Sequence, residues 1–298
     1  MKGGILYATT YGKISSEAVD PIEKKPLFHF LPGSLSYSLG SVGCNFHCEH
    51  CQNWQISRAG ITDLSLRDLT PDEGVRRAMA RGCASISWTY NEPTIWHEYA
   101  LDMGGMAKEN RLGTVYVTNG YITEEALREI SSVLDAFRVD IKAFSDEFYH
   151  KVCGAKLQPV LDSTKLAREL GLHIEIVNLV IPGMNDSPDE TGALIRWIIE
   201  NVGPDTPVHF TRFHPDYRMQ DRTVTPAAVL ERIYQQAKDL GLHFPYLGNV
   251  PSHRFESTYC PVCGALLIER HGFASIIRNL SGHSCTSCGT SIPYVDHV

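Results

Sequence analysis

The sequence contains no apolar run long enough to cross a membrane, and its first residues are broken by glycine and threonine, so they do not form a signal-peptide core. An excess of positive charge is also missing, because 27 Lys and Arg residues stand against 34 Asp and Glu residues, a formal net charge of −7. These absences predict a cytoplasmic protein without a membrane partner and weigh against a nucleic-acid partner. The 298 residues suffice for one large domain and a small one.

No cysteine precedes Cys44, and the nine cysteines are an odd number that cannot pair completely into disulfides. Without a secretory signal, free or metal-bound cysteines are expected instead. The first three, Cys44, Cys48 and Cys51, have the spacing C-x3-C-x2-C. Because an iron–sulfur cluster is normally held by four thiolates, three in one loop suggest a cluster with one iron open to a small molecule. On spacing alone, a zinc site completed by His47 or His50 remains an alternative.

Strand-like segments rich in β-branched and aromatic residues alternate with helix-like segments along the chain. This alternation predicts an α/β protein with a parallel sheet, and six units suit a partial (β/α)6 TIM-like barrel better than a closed eightfold one. A seventh strand-like segment follows at 243–250. The six predicted strands are 36–42, 84–90, 114–118, 137–142, 174–181 and 207–213.

The composition divides the chain into three predicted parts. Residues 1–35 are rich in turn signals and are expected to form an irregular N-terminal extension, and residues 36–250 form the partial barrel. Residues 251–298 carry two C-x2-C pairs separated by 21 residues, which predicts a tetrahedral metal site in a small zinc-ribbon-like module. Zinc is the first choice there, with rubredoxin-type iron or an auxiliary cluster as alternatives. The predicted ligands are Cys260, Cys263, Cys285 and Cys288.

Polar residues follow the predicted strands at the positions where each strand ends. Because the carboxyl ends of barrel strands meet at one rim, these residues are expected to face a single active-site mouth. A lone residue of this kind would be weak evidence, but every strand end contributes one. In chain order, these groups are the cysteine loop, Asn91, Glu92, Asn119, Asp140, Lys142, the turn-forming segment 181–186 and His214.

From about residue 36 to residue 217, these motifs resemble the glycyl-radical-activating branch of radical S-adenosylmethionine (SAM) enzymes, such as pyruvate formate-lyase activating enzymes. The likeness rests on C-x3-C-x2-C-x-N, Asn-Glu, Thr-Asn-Gly, Asp-Ile-Lys, V-I-P-G at 180–183 and a His after the sixth strand. It implies a [4Fe–4S] cluster, SAM and an external electron donor of the ferredoxin or flavodoxin type. It also implies cluster ligands Cys44, Cys48 and Cys51, catalytic roles for Lys142 and His214, and cofactor contacts from Asn53, Asn91, Glu92, Asn119, Asp140, Lys142 and His214.

SAM presents an amine, a carboxylate and a ribose diol, and the strand-end residues offer matching groups. We expect Glu92 to accept a hydrogen bond from the amine, Asn119 to bind the ribose and Lys142 to pair with the carboxylate. The cofactor then carries the radical chemistry, while the protein places it and excludes water.

Over nearly its whole length the chain is more similar still to the AmmeMemoRadiSam system radical SAM enzymes. The motifs concerned lie at 20–33, 51–57, 90–95 and 246–250, together with the C-terminal cysteine pairs. This resemblance implies protein partners from that system. Two positions depart from the activating enzymes: Val117 stands where they often have Asp, and Tyr90 begins the turn that is usually Gly-Gly-Glu.

The sequence therefore predicts an enzyme that cleaves SAM reductively and takes a hydrogen atom from a substrate. Activation of a protein glycyl radical, and reaction with a small molecule or an RNA, all remain open. A non-catalytic zinc-binding interaction protein is the alternative of another class. Cys83 is expected to pack as a small apolar residue, and a catalytic role for Cys153 is a weaker alternative to packing.

Overall fold

The computed structural model describes residues 7–250 and 253–298. The first six residues of the predicted extension, and residues 251 and 252 at the start of the predicted tail, lie outside the described residues. The strands are β1 (Lys13–Ile14), β2 (Ser16–Pro21), β3 (Leu35–Gly40), β4 (Arg67–Asp68), β5 (Ser85–Trp88), β6 (Gly113–Thr118), β7 (Ala136–Asp140), β8 (His173–Val180), β9 (Val208–Arg212), β10 (Pro245–Gly248), β11 (Thr258–Tyr259), β12 (Leu266–His271), β13 (Ala274–Ile277), β14 (Leu280–Ser281) and β15 (Ser284–Cys285).

Most of the longer helices cover the outside of the sheet, and several begin with a capping residue that the sequence supplies. Thr70, Thr123 and Ser187 each accept a hydrogen bond from the backbone three residues ahead. None of the helices in the described ranges is long and apolar enough to span a bilayer. The helices are α1 (Trp54–Ser57), α2 (Pro71–Ala80), α3 (His97–Glu109), α4 (Glu124–Ile130), α5 (Asp146–Phe148), α6 (Gln158–Glu169), α7 (Pro188–Asn201), α8 (Ala227–Asp239) and α9 (His253–Glu256), with single turns at Ile22–Lys24, Pro93–Trp96 and Tyr149–Cys153.

An eight-stranded sheet in the order β10-β9-β8-β7-β6-β5-β3-β2 forms the centre of the fold. All neighbouring strands run parallel except β2 and β3. The six predicted strands and the seventh segment are β3, β5, β6, β7, β8, β9 and β10, so the predicted α/β class is confirmed. Within the described residues no hydrogen-bonded pairing joins β10 to β2, so the sheet is an open, partial barrel.

The expectation of an irregular segment through residue 35 was wrong for Ser16–Pro21. This segment forms β2 and pairs antiparallel with β3 over six residue pairs. Its sequence, S-E-A-V-D-P, has weak intrinsic strand preference because it contains Glu, Asp and Pro. Pairing with β3, which no local pattern reveals, makes it the edge strand of the sheet.

The C-terminal region is built from the antiparallel sheet β11-β12-β13 and the pair β14–β15. Its apolar residues share a core with Phe28, Phe244 and Tyr246, so this region packs directly on the N-terminal segment and on β10. Arg270, which is fully buried, donates to the carbonyl oxygen of Phe28 at 2.6 Å and stacks over the Phe28 ring at 4.2 Å. The divisions at residues 35 and 250 stay a prediction.

Candidate functional site

A cavity of about 540 Å³ opens at the carboxyl ends of the parallel strands. It is lined by the cysteine loop and by residues at the ends of β5, β6 and β7. It is also lined by residues 23–26 and Phe28 of the N-terminal segment, by residues of β8, β9 and β10, and by Gly272 and Phe273 at the turn between β12 and β13. The expected rim of polar residues is therefore present, and two segments outside the six strand–helix units complete its wall.

The cysteine loop is held in place by hydrogen bonds from two neighbouring elements. Asn91, directly after β5, accepts from the backbone of Ser41 and donates to the carbonyl oxygen of Gly43, both at 3.0 Å. The turn Tyr149–Cys153 binds the other end, where the His47 amide donates to the Cys153 carbonyl oxygen at 2.8 Å. Asn91 is thus an anchor of the loop.

Cys44, Cys48 and Cys51 are half-buried and all line the cavity. Burial, followed by the charge of Glu92, raises the pKa of the Cys44 thiol to about 12. A hydrogen bond with Cys153, together with burial, holds the pKa of Cys48 well above its ordinary value. The thiols of Cys44 and Cys48 are therefore protonated at neutral pH without metal, and a metal centre must displace their protons on binding.

The two groups of cysteines have different spacings between their sulfurs. The sulfur atoms of the four tail cysteines all lie within 4.8 Å of one another. Among the described residues, the sulfur atoms of the three loop cysteines do not form such a group. In the tail, the Sγ atoms of Cys260 and Cys288 lie 3.5 Å apart, and those of Cys263 and Cys285 lie 3.7 Å apart. A tetrahedral zinc with bonds of about 2.3 Å places its sulfurs about 3.8 Å apart, so the tail fits one metal ion.

Glu92 is 2% exposed and ties the end of β5 to the end of β6. Its Oε1 accepts from the hydroxyls of Thr94 and Thr118 at 2.7 Å, and its Oε2 accepts from the backbone of Asn119 at 2.8 Å. Burial raises the pKa of Glu92. Oε1 also accepts from the Thr94 backbone, so Oε2 is the oxygen with room for a further donor. The Asn119 side chain donates to Asn45 Oδ1 at 2.8 Å.

At the end of β7, the carboxylate of Asp140 lies between two cations. Its Oδ1 accepts from Arg138 at 2.5 Å and its Oδ2 from Lys142 at 2.8 Å. Burial alone would raise the pKa of Asp140, but the charges of Arg138 and Lys142 outweigh it and hold the pKa below its ordinary value. Arg138 was missed by sequence reasoning, since an Arg inside a strand gives no local sign that it faces the cavity.

His50 lies between the second and third cysteines of the loop and lines the cavity. It is 4% exposed, and within the described part of the chain neither ring nitrogen has a hydrogen-bond partner. Burial, followed by the charge of Lys142, lowers the pKa of His50 to about 3. The imidazole is therefore neutral at physiological pH, and its two unpaired nitrogens provide one donor and one acceptor to a cavity occupant.

The remaining predicted site residues are placed less centrally. Asn53 lines the cavity but is exposed, and it donates to the carbonyl oxygen of Tyr90 at 2.9 Å. His214 is exposed and is not among the cavity-lining residues. Cys153 is fully buried behind the cysteine loop, and Cys83 is buried too. The catalytic role expected for His214 stays a prediction, and this placement does not support it.

Tyr90 adopts φ of 72°, a region that favours glycine, at the position where the activating enzymes usually have Gly. Its hydroxyl donates to Asp20 Oδ2 at 2.9 Å, and Lys25 Nζ lies 4.8 Å from the ring centre. The N-terminal segment therefore stabilises the bulky side chain in the strained turn that leads into Asn91 and Glu92.

Comparison with known proteins agrees with this geometry. Residues 39–197, more than half of the chain, match the Radical SAM superfamily. The chain belongs to the radical SAM superfamily. It is 47% identical over 294 residues to the uncharacterized protein MJ0808 of Methanocaldococcus jannaschii, which covers 98% of this chain and 87% of that one. It is 22% identical over 221 residues to the pyruvate formate-lyase-activating enzyme of Clostridium pasteurianum, covering 66% and 88% of the two chains.

Among solved structures, this radical SAM protein resembles Streptococcus suis SuiB bound to its precursor peptide SuiA, with a TM-score of 0.55 and 16% identity. The match covers 75% of this chain and 50% of that chain, and it shows the fold alone. Superfamily membership makes the chain an enzyme that uses a [4Fe–4S] cluster and SAM and needs an external reductant.

Proposed function

We propose that Cys44, Cys48 and Cys51 hold the [4Fe–4S] cluster and that the adjoining cavity binds SAM and a substrate. The observation that carries this proposal is that the three cysteines, Glu92, Asn119 and Lys142 line one cavity at the strand ends. When bound and reduced, the cluster supplies the electron that cleaves SAM to methionine and a 5′-deoxyadenosyl radical, and that radical takes a hydrogen atom from the substrate.

The residues of the chain have separate tasks in this scheme. Lys142 pairs with the SAM carboxylate, and Asp140 fixes its ammonium group at 2.8 Å. Glu92 holds the turn at the end of β6 through the backbone of Asn119, and its Oε2 accepts from the SAM amine. Phe46, which lies between Cys44 and Cys48 in the cysteine loop, is buried at the cavity lining and helps to exclude water from the reacting groups.

The relatives support a finer assignment. Pyruvate formate-lyase-activating enzymes are among the proteins that this chain matches, so activation of a protein by hydrogen abstraction is one candidate reaction. Similarity to the GTP 3′,8-cyclase of Listeria monocytogenes, at 25% identity over 258 residues, supports a small-molecule substrate as the second. Membership of the AmmeMemoRadiSam system, with protein partners from it, belongs to the same proposal.

We expect Lys142→Met to weaken SAM binding at least tenfold, about 1.4 kcal/mol, because the variant removes a charge-assisted contact inside a buried site. The measurement is the SAM dissociation constant of the cluster-loaded protein by isothermal titration. Lys151→Met is the matched control, because Lys151 is 69% exposed and pairs only with Glu147 in the described structure. Equal SAM affinities of Lys142→Met and the wild type would remove Lys142 from the site.

A further inference from the structure

The part of the cavity lining formed by Glu23, Lys25 and Arg138, here called the wall, carries charges that the proposed SAM contacts do not use. Asp20, at the end of β2, is shared by two lysines: Lys24 Nζ lies 2.7 Å from Oδ1 and Lys25 Nζ lies 2.6 Å from Oδ2. Asp140 is shared by Arg138 and Lys142 in the same way. Each carboxylate thus meets two cations, and each group of three retains one positive charge.

Two of these cations are deeply buried. The side chains of Lys25 and Arg138 are 4% and 8% exposed, and both line the cavity. Burial lowers the pKa of Lys25, pairing with Asp20 opposes this, and the charges of Lys24 and then Arg138 add to the lowering. Each of the two cations is paired with one carboxylate and lines the same cavity, where an anionic occupant would compensate the positive charge buried there.

Unpaired polar atoms on the same wall point to a missing occupant. The Nε of Arg138 is buried and, in the part of the chain that the structure describes, has no acceptor. Glu23, which is 2% exposed and also lines the cavity, uses Oε1 to accept from the Gly33 amide at 2.7 Å. Its Oε2 is buried and has no donor within the described residues. Because buried polar groups in proteins are nearly always hydrogen-bonded, a donor and an acceptor here await partners.

We infer that this wall is the substrate site and that the substrate is a small anionic molecule, bound through a carboxylate or phosphate group by Lys25 and Arg138. A hydroxyl or ammonium group of the same molecule donates to Glu23 Oε2. The inference rests on the proposed function, because it gives the SAM-derived radical its target. Lys142 and Arg138 bind different oxygens of Asp140, so Arg138 can keep its contact with Asp140 when Lys142 pairs with SAM.

A small molecule suits this site better than a protein segment does. The side chains of the anchoring cations Lys25 and Arg138 are deeply buried, and Phe28 and His209 line the same cavity. A group that reaches them must enter the cavity fully. Phe273, at the turn between β12 and β13, is 54% exposed at the cavity lining, where it can cover a bound molecule.

The test is calorimetric titration of the cluster-loaded, SAM-bound protein with three probes: glycerate, glycerol 2-phosphate and propane-1,2-diol. We expect either glycerate or glycerol 2-phosphate to bind saturably. Which of the two binds shows whether the site takes a carboxylate or a phosphate group. The neutral diol should not bind. Lys25→Met and Arg138→Gln should each lower the affinity for that anion at least tenfold. Arg138→Lys, which keeps the positive charge beside Asp140, should bind the anion more tightly than Arg138→Gln does.

Lys13→Met is the control, since Lys13 pairs with Asp68 on the surface, and it should bind the anion as the wild type does. The absence of binding by both anions, or equal affinities for Lys25→Met, Arg138→Gln and the wild type, overturns the inference. Titration of the wild type with SAM distinguishes a failure of the substrate site from a failure of the proposed function. SAM binding without anion binding defeats the substrate site alone, whereas failure to bind SAM defeats the proposed function first.

Discussion

The variant with Cys44, Cys48 and Cys51 all replaced by alanine is expected to lose its [4Fe–4S] cluster completely. The wild-type protein, reconstituted without oxygen, should hold about four iron atoms per chain at this loop, and the variant about none. The reason is that no other described cysteine lines the cavity, and Cys153, which contacts Cys48, is fully buried and offers a single thiol that cannot replace three ligands. Iron and sulfide analysis, with the visible absorption of the cluster, measures the effect.

Cys83→Ala is the matched control for this prediction. Cys83 is 6% exposed and lies before β5, away from the cavity lining, so its removal should leave the iron content unchanged. Full retention of iron by the triple variant would contradict the assignment of the loop. Loss of zinc rather than iron would favour the alternative of a structural zinc site in the loop.

The second large effect is expected in the tail. We propose that Cys260, Cys263, Cys285 and Cys288 bind one zinc ion, so the double variant Cys263→Ser with Cys288→Ser should lose that zinc. Structural zinc supplies about 10 kcal/mol or more of binding free energy in small ribbons, so the tail should open once the metal is lost. Metal analysis and limited proteolysis of residues 256–298 measure the two consequences.

The loop cluster should remain in this tail variant, because its ligands belong to a different segment. Ser287→Ala is the control: Ser287 is exposed, lies between Cys285 and Cys288, and supplies no thiolate. If the double variant kept its zinc, the four-thiolate assignment would be wrong. If it lost the loop iron as well, the tail would have to be part of the cluster site.

The fold could be predicted because its signals are local. The strands β5, β6, β7, β8 and β9 contain β-branched or aromatic residues, and several of the helices between the strands begin with Thr or Ser at the cap. The strand ends then supplied Glu92, Asn119 and Lys142 as lining residues, which the structure brings to one cavity.

What could not be predicted depends on contacts between distant parts of the chain. Asp20 meets Tyr90 across 70 residues, and Arg270 meets Phe28 across 242 residues, and neither contact leaves a periodic pattern in the sequence. The tail was expected to be a separate module, yet its core includes Phe28 and Tyr246, and its Phe273 lines the cavity. His214 follows β9 as expected, but its side chain is exposed to solvent.

The central claim is that this protein cleaves SAM with a cluster held by the cysteine loop. The most direct measurement is the amount of 5′-deoxyadenosine formed from SAM by the reconstituted, reduced protein and by its triple cysteine variant, both without added substrate. We predict that the wild type forms 5′-deoxyadenosine and methionine in equal amounts, and that the variant forms none. A wild-type protein that holds its cluster, binds SAM and yet releases no 5′-deoxyadenosine under reduction would contradict the claim.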